Sequence, residues 1–236
     1  AQSVELMDAP GLRLLKFREG ATFEPHDHDG HDDHDGHDGH DHGGGGRHHA
    51  EEHGGEAHDG HHHGEGDRDP HIWLDPGNAR VMLDLIAATL AKADPADAAA
   101  YFNNAVAAKV EMDALSDAII AELAPARGRK FIVFHDAYHY FEARFGIEAA
   151  GAVALSDGAA PGPARIQTIR DKISQLGAVC VFAEPQFNSK LISSLVEGTG
   201  AHSKALDPLG AGLPVGVNLY PTLMKNIARN IAECAS

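Results

Sequence analysis

The sequence predicts an α/β protein with a parallel sheet in its C-terminal half, preceded by one long helix. Three observations carry this. From Phe131 onward, short apolar runs alternate with helical stretches, the signature of βαβ units. Ahead of them an approximately helical stripe of Phe102, Val106, Met112, Leu115, Ile119 and Leu123 continues until Pro125. About 29 residues at 1.5 Å rise make a helix roughly 43 Å long, enough to brace two lobes. The 236 residues, 43% of them hydrophobic, can form one large domain or two lobes of ordinary size.

Taken in order, Val4 to Met7 reads as a strand end and Ala9-Pro10-Gly11 as a turn, and Leu12 to Gly20 shows no clear period. Between His26 and Asp69 the composition becomes extreme. Fourteen of the eighteen histidines lie there, with fourteen acidic and two basic residues, twelve glycines and only two alanines. Such a stretch cannot offset its ordering entropy by burial, so it reads as a disordered loop. One strand, one turn and this loop hold too little core for a complete lobe, which predicts further sequence upstream. Asp75-Pro76 is a helix start, a capping acid followed by proline at the first helical position, and Met82, Leu85, Ile86, Thr89 and Leu90 form one face up to about Ala93. Asp94-Pro95 repeats that signal and opens the long helix. Strands are expected at Phe131 to Phe134, Ile147 to Val153, Val179 to Ala183 and Lys204 to Leu206. Helices are expected at Ala137 to Phe145, Arg165 to Leu176, Ser189 to Gly198 and Tyr220 to Ala235.

The formal charge of −16 argues against nucleic acid or an anionic bilayer as the main partner. No apolar run approaches the roughly 20 residues of a membrane span, and Ala1 to Gly20 lacks the pattern of a signal peptide. The acidity is local to the loop, where His26, His28, His31, His34, His37, His40 and His42 interleave with aspartate and His61, His62 and His63 form a second cluster. Neutral imidazole suits zinc, copper and nickel, and a floppy chain can wrap several rings around an ion. An expression tag would be terminal and would not interleave aspartate.

His71 and His135 stand in quite different, structured contexts. His135 follows a predicted strand, Glu184 follows the next, and Asp207 follows Lys204 to Leu206, so one rim of a parallel sheet can collect all three, at the edge where open sheets bind ligands. Each alone is equally well explained as a helix cap or a turn acid. His139 and His202 read as ordinary surface or core-edge histidines. The two cysteines, Cys180 and Cys234, exclude a thiolate zinc site and leave either a disulfide or two buried thiols. A disulfide would be worth about 4 kcal/mol in the chain-entropy model.

The histidine-rich loop, then Pro70-His71-Ile72-Trp73-Leu74, Phe134-His135-Asp136-Ala137-Tyr138, Phe182-Ala183-Glu184-Pro185-Gln186-Phe187 and Leu206-Asp207-Pro208-Leu209-Gly210 succeed one another along the chain. In that order they resemble the zinc-binding periplasmic component of bacterial zinc ABC importers, the ZnuA family. The resemblance implies two α/β lobes joined by a long rigid helix, with zinc (Zn2+) in the cleft between them. On that pattern residues 1–93 are the remainder of an N-terminal lobe including the loop 26–69, residues 94–126 the linking helix, and residues 127–236 the C-terminal lobe. It makes His71 and His135 zinc ligands and matches Asp207 to an acid that ligates metal in relatives, water or a loop acid being the alternatives. Glu184 stands behind the ligands. Related manganese proteins have glutamate where His135 stands, so histidine favours zinc. Cys180 and Cys234 match a disulfide found in some members, which implies an oxidising compartment, the periplasm. The family also supplies a histidine from the first part of the N-terminal lobe that has no counterpart here, so the resemblance too implies an incomplete first lobe.

The resemblance therefore implies a non-enzymatic, monomeric zinc carrier that docks on the membrane permease of an ABC importer, without nucleic acid and without inserting into the bilayer. Two other readings use the same residues. In a zinc hydrolase, His71, His135 and Asp207 would hold the metal with Glu184 as base, though no HExxH pair supports it. In a periplasmic metal buffer the loop would be the whole function.

Overall fold

The structure, a computed structural model, describes residues 3–18, 23, 68–154, 161–187 and 189–235. The helix start at Asp75 forms as its chemistry demands: the carboxylate accepts the Gly77 N–H at 2.7 Å, Pro76 occupies the first helical position, and α1 runs Pro76–Ala93. Its buried face differs in phase from the expected stripe. Asn78, Ala79, Met82 and Ala87 turn inward, and Ile86 and Leu90 are 36% and 42% exposed. The long helix arrives as a 3-10 turn at Pro95–Asp97, α2 at Ala98–Glu122 and a second 3-10 turn at Ala124–Ala126. Ala105, Met112, Leu115 and Ile119 are its buried residues, and Phe102 and Val106 stay exposed. The reason is tertiary. α2 packs against both α1 and the last helix, and those two neighbours select which residues face inward.

The sheet is parallel, in the order β1 (Phe131–Ile132), β2 (Cys180–Ala183), β3 (His202–Ala205). The fourth expected strand, Ile147 to Val153, forms only a bridge from Ala152 to Val133, with backbone bonds from Val153 N–H to Val133 and from Ala154 N–H to Phe134. Ala149-Ala150-Gly151-Ala152 lacks the branched side chains that favour a pleated ladder. Between the strands run α3 (His139–Phe145), α4 (Pro163–Leu176) and α5 (Ser189–Val196), and α6 (Leu219–Ala235) closes the order. α3 stops at Gly146, whose φ of +69° suits glycine. The expected strand at Val4 to Met7 is instead a 3-10 turn, Leu6–Asp8.

Successive strand residues face opposite sides, and this divides the core in two. Phe131, Cys180 and Phe182 join Leu115, Ile119, Tyr140, Phe141, Ile227 and Ile231 on one side. Ile132 and Val181 join Ile169, Ile173, Ile192 and Leu195 on the other. Ile72, Leu74, Ala79 and Met82 belong to the first of these cores, so the segment carrying His71 is packed against the sheet's own helices. A disulfide links Cys180 on β2 to Cys234 on α6. The strap before residue 18 meets the chain again through a bridge between Lys16 and Arg68, with the Asp69 N–H donating to the Leu15 carbonyl at 3.0 Å. Among the described residues, no helix is long and apolar enough to cross a membrane.

Candidate metal centre

His135 lies just past β1, Glu184 just past β2 and Asp207 just past β3, so the parallel order brings all three to the same edge of the sheet. His71 reaches the site from the 3-10 turn that precedes α1. The rings of His71 and His135 are 5.4 Å apart between centroids, at 60°, and the two residues are 6% and 8% exposed. Trp73 and Phe187 flank them with apolar surface, and Phe187 stacks on Phe134 at 4.2 Å. Trp73 Nε1–H donates to the Pro208 carbonyl at 2.9 Å, and the Tyr220 hydroxyl donates to the Trp73 carbonyl at 2.8 Å. These bonds tie the turn carrying His71 to the loop after β3 and to α6.

Each imidazole is held by a buried carboxylate. His135 Nδ1 lies 2.6 Å from Glu184 Oε1, and His71 Nδ1 lies 2.7 Å from Asp69 Oδ1, which also accepts the His71 backbone N–H at 3.0 Å. An ionised carboxylate can only accept, so a neutral ring facing one carries its proton on Nδ1 and its lone pair on Nε2. Metal-ligating histidines are oriented and made more basic in this way. Asp69 is 1% exposed and belongs to the site, although its sequence context groups it with the loop. Its signal is local: an acid two residues before a histidine, across a proline that fixes the backbone.

Asp207 is engaged differently. Its Oδ1 accepts from the Leu209 N–H, the Gly210 N–H and Gln186 Nε2 at 2.9–3.1 Å, closing its own turn. Among the described residues, no group of three or more His, Cys, Asp or Glu side chains is gathered into a complete metal cage. His139 sits at the core edge with Nδ1 3.8 Å from Asp69 Oδ2, and His202 is exposed at the start of β3. The candidate loop ligands from His26 to His63 lie outside the described residues.

The flank of the site is charged and ordered. Arg18 pairs with Asp136 and with Glu142, whose Oε2 is 2.6 Å from Nη1. Burial pushes the Glu142 carboxyl above its ordinary range, with the Arg18 charge pulling the other way. Burial also lowers the affinity of His139 for a proton, and the Arg18 charge adds to this. Tyr138 is fully buried; burial first and the Glu184 charge next push its ionisation well above the usual value.

A family model described as "Zinc-uptake complex component A periplasmic" matches residues 3–234. The High-affinity zinc uptake system protein ZnuA of Brucella suis is 52% identical over 236 residues, 100% of this chain and 70% of the relative. The protein of that name from Paracoccus denitrificans is 43% identical over 167 residues, 70% of this chain and 51% of the relative. Among solved structures, a crystal structure of ZnuA matches with a TM-score of 0.63 and 30% identity, covering 71% of this chain and 62% of the other. The solute-binding protein FpvC of Pseudomonas aeruginosa in complex with Mn2+ matches with a TM-score of 0.63 and 25% identity, covering 71% and 63%. This chain thus spans less than two thirds of either solved chain.

Proposed function

Because the chain belongs to the ZnuA family of periplasmic zinc-uptake components, we propose that it captures zinc between His71 and His135 and delivers it to the membrane permease of an ABC importer. Zinc is the cargo. The observation that carries the reading is the pair of buried imidazoles, brought together from distant segments and each fixed through Nδ1 by a buried carboxylate. Two imidazoles binding one tetrahedral ion at about 2.0–2.1 Å place their ring centroids roughly 5 Å apart. The observed 5.4 Å is close to that spacing. Asp207 at the same edge is the candidate acid for a further position. A carrier must hold its ion tightly and still release it.

The Cys180–Cys234 disulfide supports an oxidising compartment, in keeping with the periplasm. The contact of Glu184 Oε1 with His135 Nδ1 supports a role behind the ligand for Glu184 rather than that of a general base. The test is zinc affinity, measured by competition with a chromophoric chelator on the protein and on His71→Ala and His135→Ala variants. Loss of the tightest site in both variants is expected. Unchanged tight binding in both would overturn the assignment.

A further inference from the structure

His71 and Asp207 come from segments far apart in the chain, and one bond joins the residues next to them. Trp73, two residues after His71, donates its Nε1–H to the carbonyl of Pro208, the residue after Asp207, at 2.9 Å. An indole N–H is a donor only, so this bond fixes the direction of the ring as well as its distance. Both of its ends are stiff. On one side, His71, Ile72, Trp73 and Leu74 form a 3-10 turn in which the Leu74 N–H donates to the His71 carbonyl at 3.2 Å, with Ile72 and Leu74 buried in the core. The Tyr220 hydroxyl on α6 holds the Trp73 carbonyl at 2.8 Å. On the other side, the φ of Pro208 is fixed by its ring, and Asp207 Oδ1 closes its own turn onto the Leu209 and Gly210 N–H groups. The Trp73 ring also lies 5.4 Å from that of His71 between centroids.

We propose that Trp73 is a positioning residue of the zinc site: its bond to Pro208 sets the separation of His71 and Asp207, so that one ion can take an imidazole from the first and a carboxylate from the second. The inference rests on the reading that both residues bind zinc, and it names what aligns them. Few backbone torsions lie between the bond and either ligand, so little of the alignment is lost on the way. Without the bond, two ligands on separate segments have to be ordered at the moment the ion arrives, at a cost in conformational entropy. The coupling is reciprocal: whatever the bond between Trp73 and Pro208 adds to the affinity for zinc, zinc adds to the stability of that bond.

That reciprocity gives two independent tests. Trp73→Phe keeps an apolar ring beside His71 and removes the donor. Its zinc affinity, by chelator competition, should fall about three- to tenfold, at or below the low end for groups behind a metal ligand. Asp207→Asn keeps an oxygen for the turn and removes the carboxylate charge, and Trp73→Phe added to it should cause no further loss. A merely structural role would lower the affinity by the same factor in both backgrounds. Trp73 is the only tryptophan of the chain, so its indole N–H gives a single proton NMR signal that can be followed in the unsubstituted protein. Zinc should slow the exchange of that proton with solvent by about three- to tenfold, and should no longer do so in Asp207→Asn. Wild-type affinity in Trp73→Phe, an equal loss with and without the Asp207 carboxylate, or an exchange rate indifferent to zinc would each overturn the positioning role. If Asp207→Asn or His71→Ala binds as tightly as wild type, the assignment of that ligand fails and the alignment with it; if both lose affinity and Trp73→Phe does not, only the positioning role fails.

Discussion

Arg144 on α3 grips Asp75, the residue that caps α1, at two points: Nε lies 2.5 Å from Oδ1 and Nη2 lies 3.2 Å from Oδ2. The cap of one helix is thus also the anchor of another, four residues after His71. Space for the guanidinium exists because residue 77 is glycine, where an added Cβ would overlap Arg144 Nη2.

Gly77→Ala should therefore destabilise the protein even though alanine is the better helix former. Displacing Arg144 leaves a fully buried carboxylate short of its cation, and since the Arg144 side chain is 39% exposed, water recovers part of the loss. The expected cost is about 1–2 kcal/mol, read from urea unfolding. A gain in stability would show that Arg144 has another equally good seat.

Glu184→Gln and Asp69→Asn should each weaken zinc binding by about tenfold or more while leaving the ligands in place. An amide oxygen is a poorer acceptor for Nδ1–H, so the rings lose basicity and orientation. Competition titration checks this, and the two variants should behave alike because the two carboxylate–histidine pairs are alike in length and burial.

Deleting residues 26–67 should reduce the number of zinc ions bound and leave the tightest site intact. The cut must spare Asp69, since a deletion carried through it removes the partner of His71. Imidazoles with an ordinary pKa of about 6.5 should release loop metal between about pH 7 and 5. Full stoichiometry after the shorter deletion would remove the loop from zinc binding.

Stability should fall on acidification in a way that depends on His139. Burial, with Arg18 adding to it, lowers its pKa in the folded state, so below the ordinary histidine value the unfolded chain binds the proton more readily. The contribution is complete above about pH 6.5 and is lost as pH falls through the folded-state value. Unfolding midpoints at pH 7.5 and 5.5 should converge more closely in His139→Gln than in wild type.

Cys180 and Cys234 should resist alkylation in denatured, unreduced protein and react after reduction. The bond spans 54 residues and holds α6 against β2, so reduction should cost about 2–4 kcal/mol of stability. Two labelled thiols before reduction would contradict the pairing.

How much of the fold and the site is legible in the sequence depends on how local each cause is. Asp75-Pro76 marks the start of α1 to the residue because capping is settled within one turn. His135 and Glu184 can be placed at one rim because strand ends and parallel order follow from apolar runs alone. The inward face of α2 is not readable, since Phe102 and Met112 are equally apolar and only the packing of α1 and α6 decides which is covered. Asp69 is hidden for the opposite reason: its neighbours Gly66, Asp67 and Arg68 carry the composition of the loop, and only the folded chain seats it against His71 and Leu15.

The bridge between Lys16 and Arg68 makes the histidine-rich insertion a cassette. Its two anchor points are paired to each other before the chain reaches Asp69, so the rest of the fold is set by the bridge rather than by the length of what lies between. Doubling the number of residues in such a closed excursion costs only about 0.6 kcal/mol in loop entropy. Lengthening or shortening the segment between Lys16 and Arg68 should therefore change the stability of the rest of the fold little.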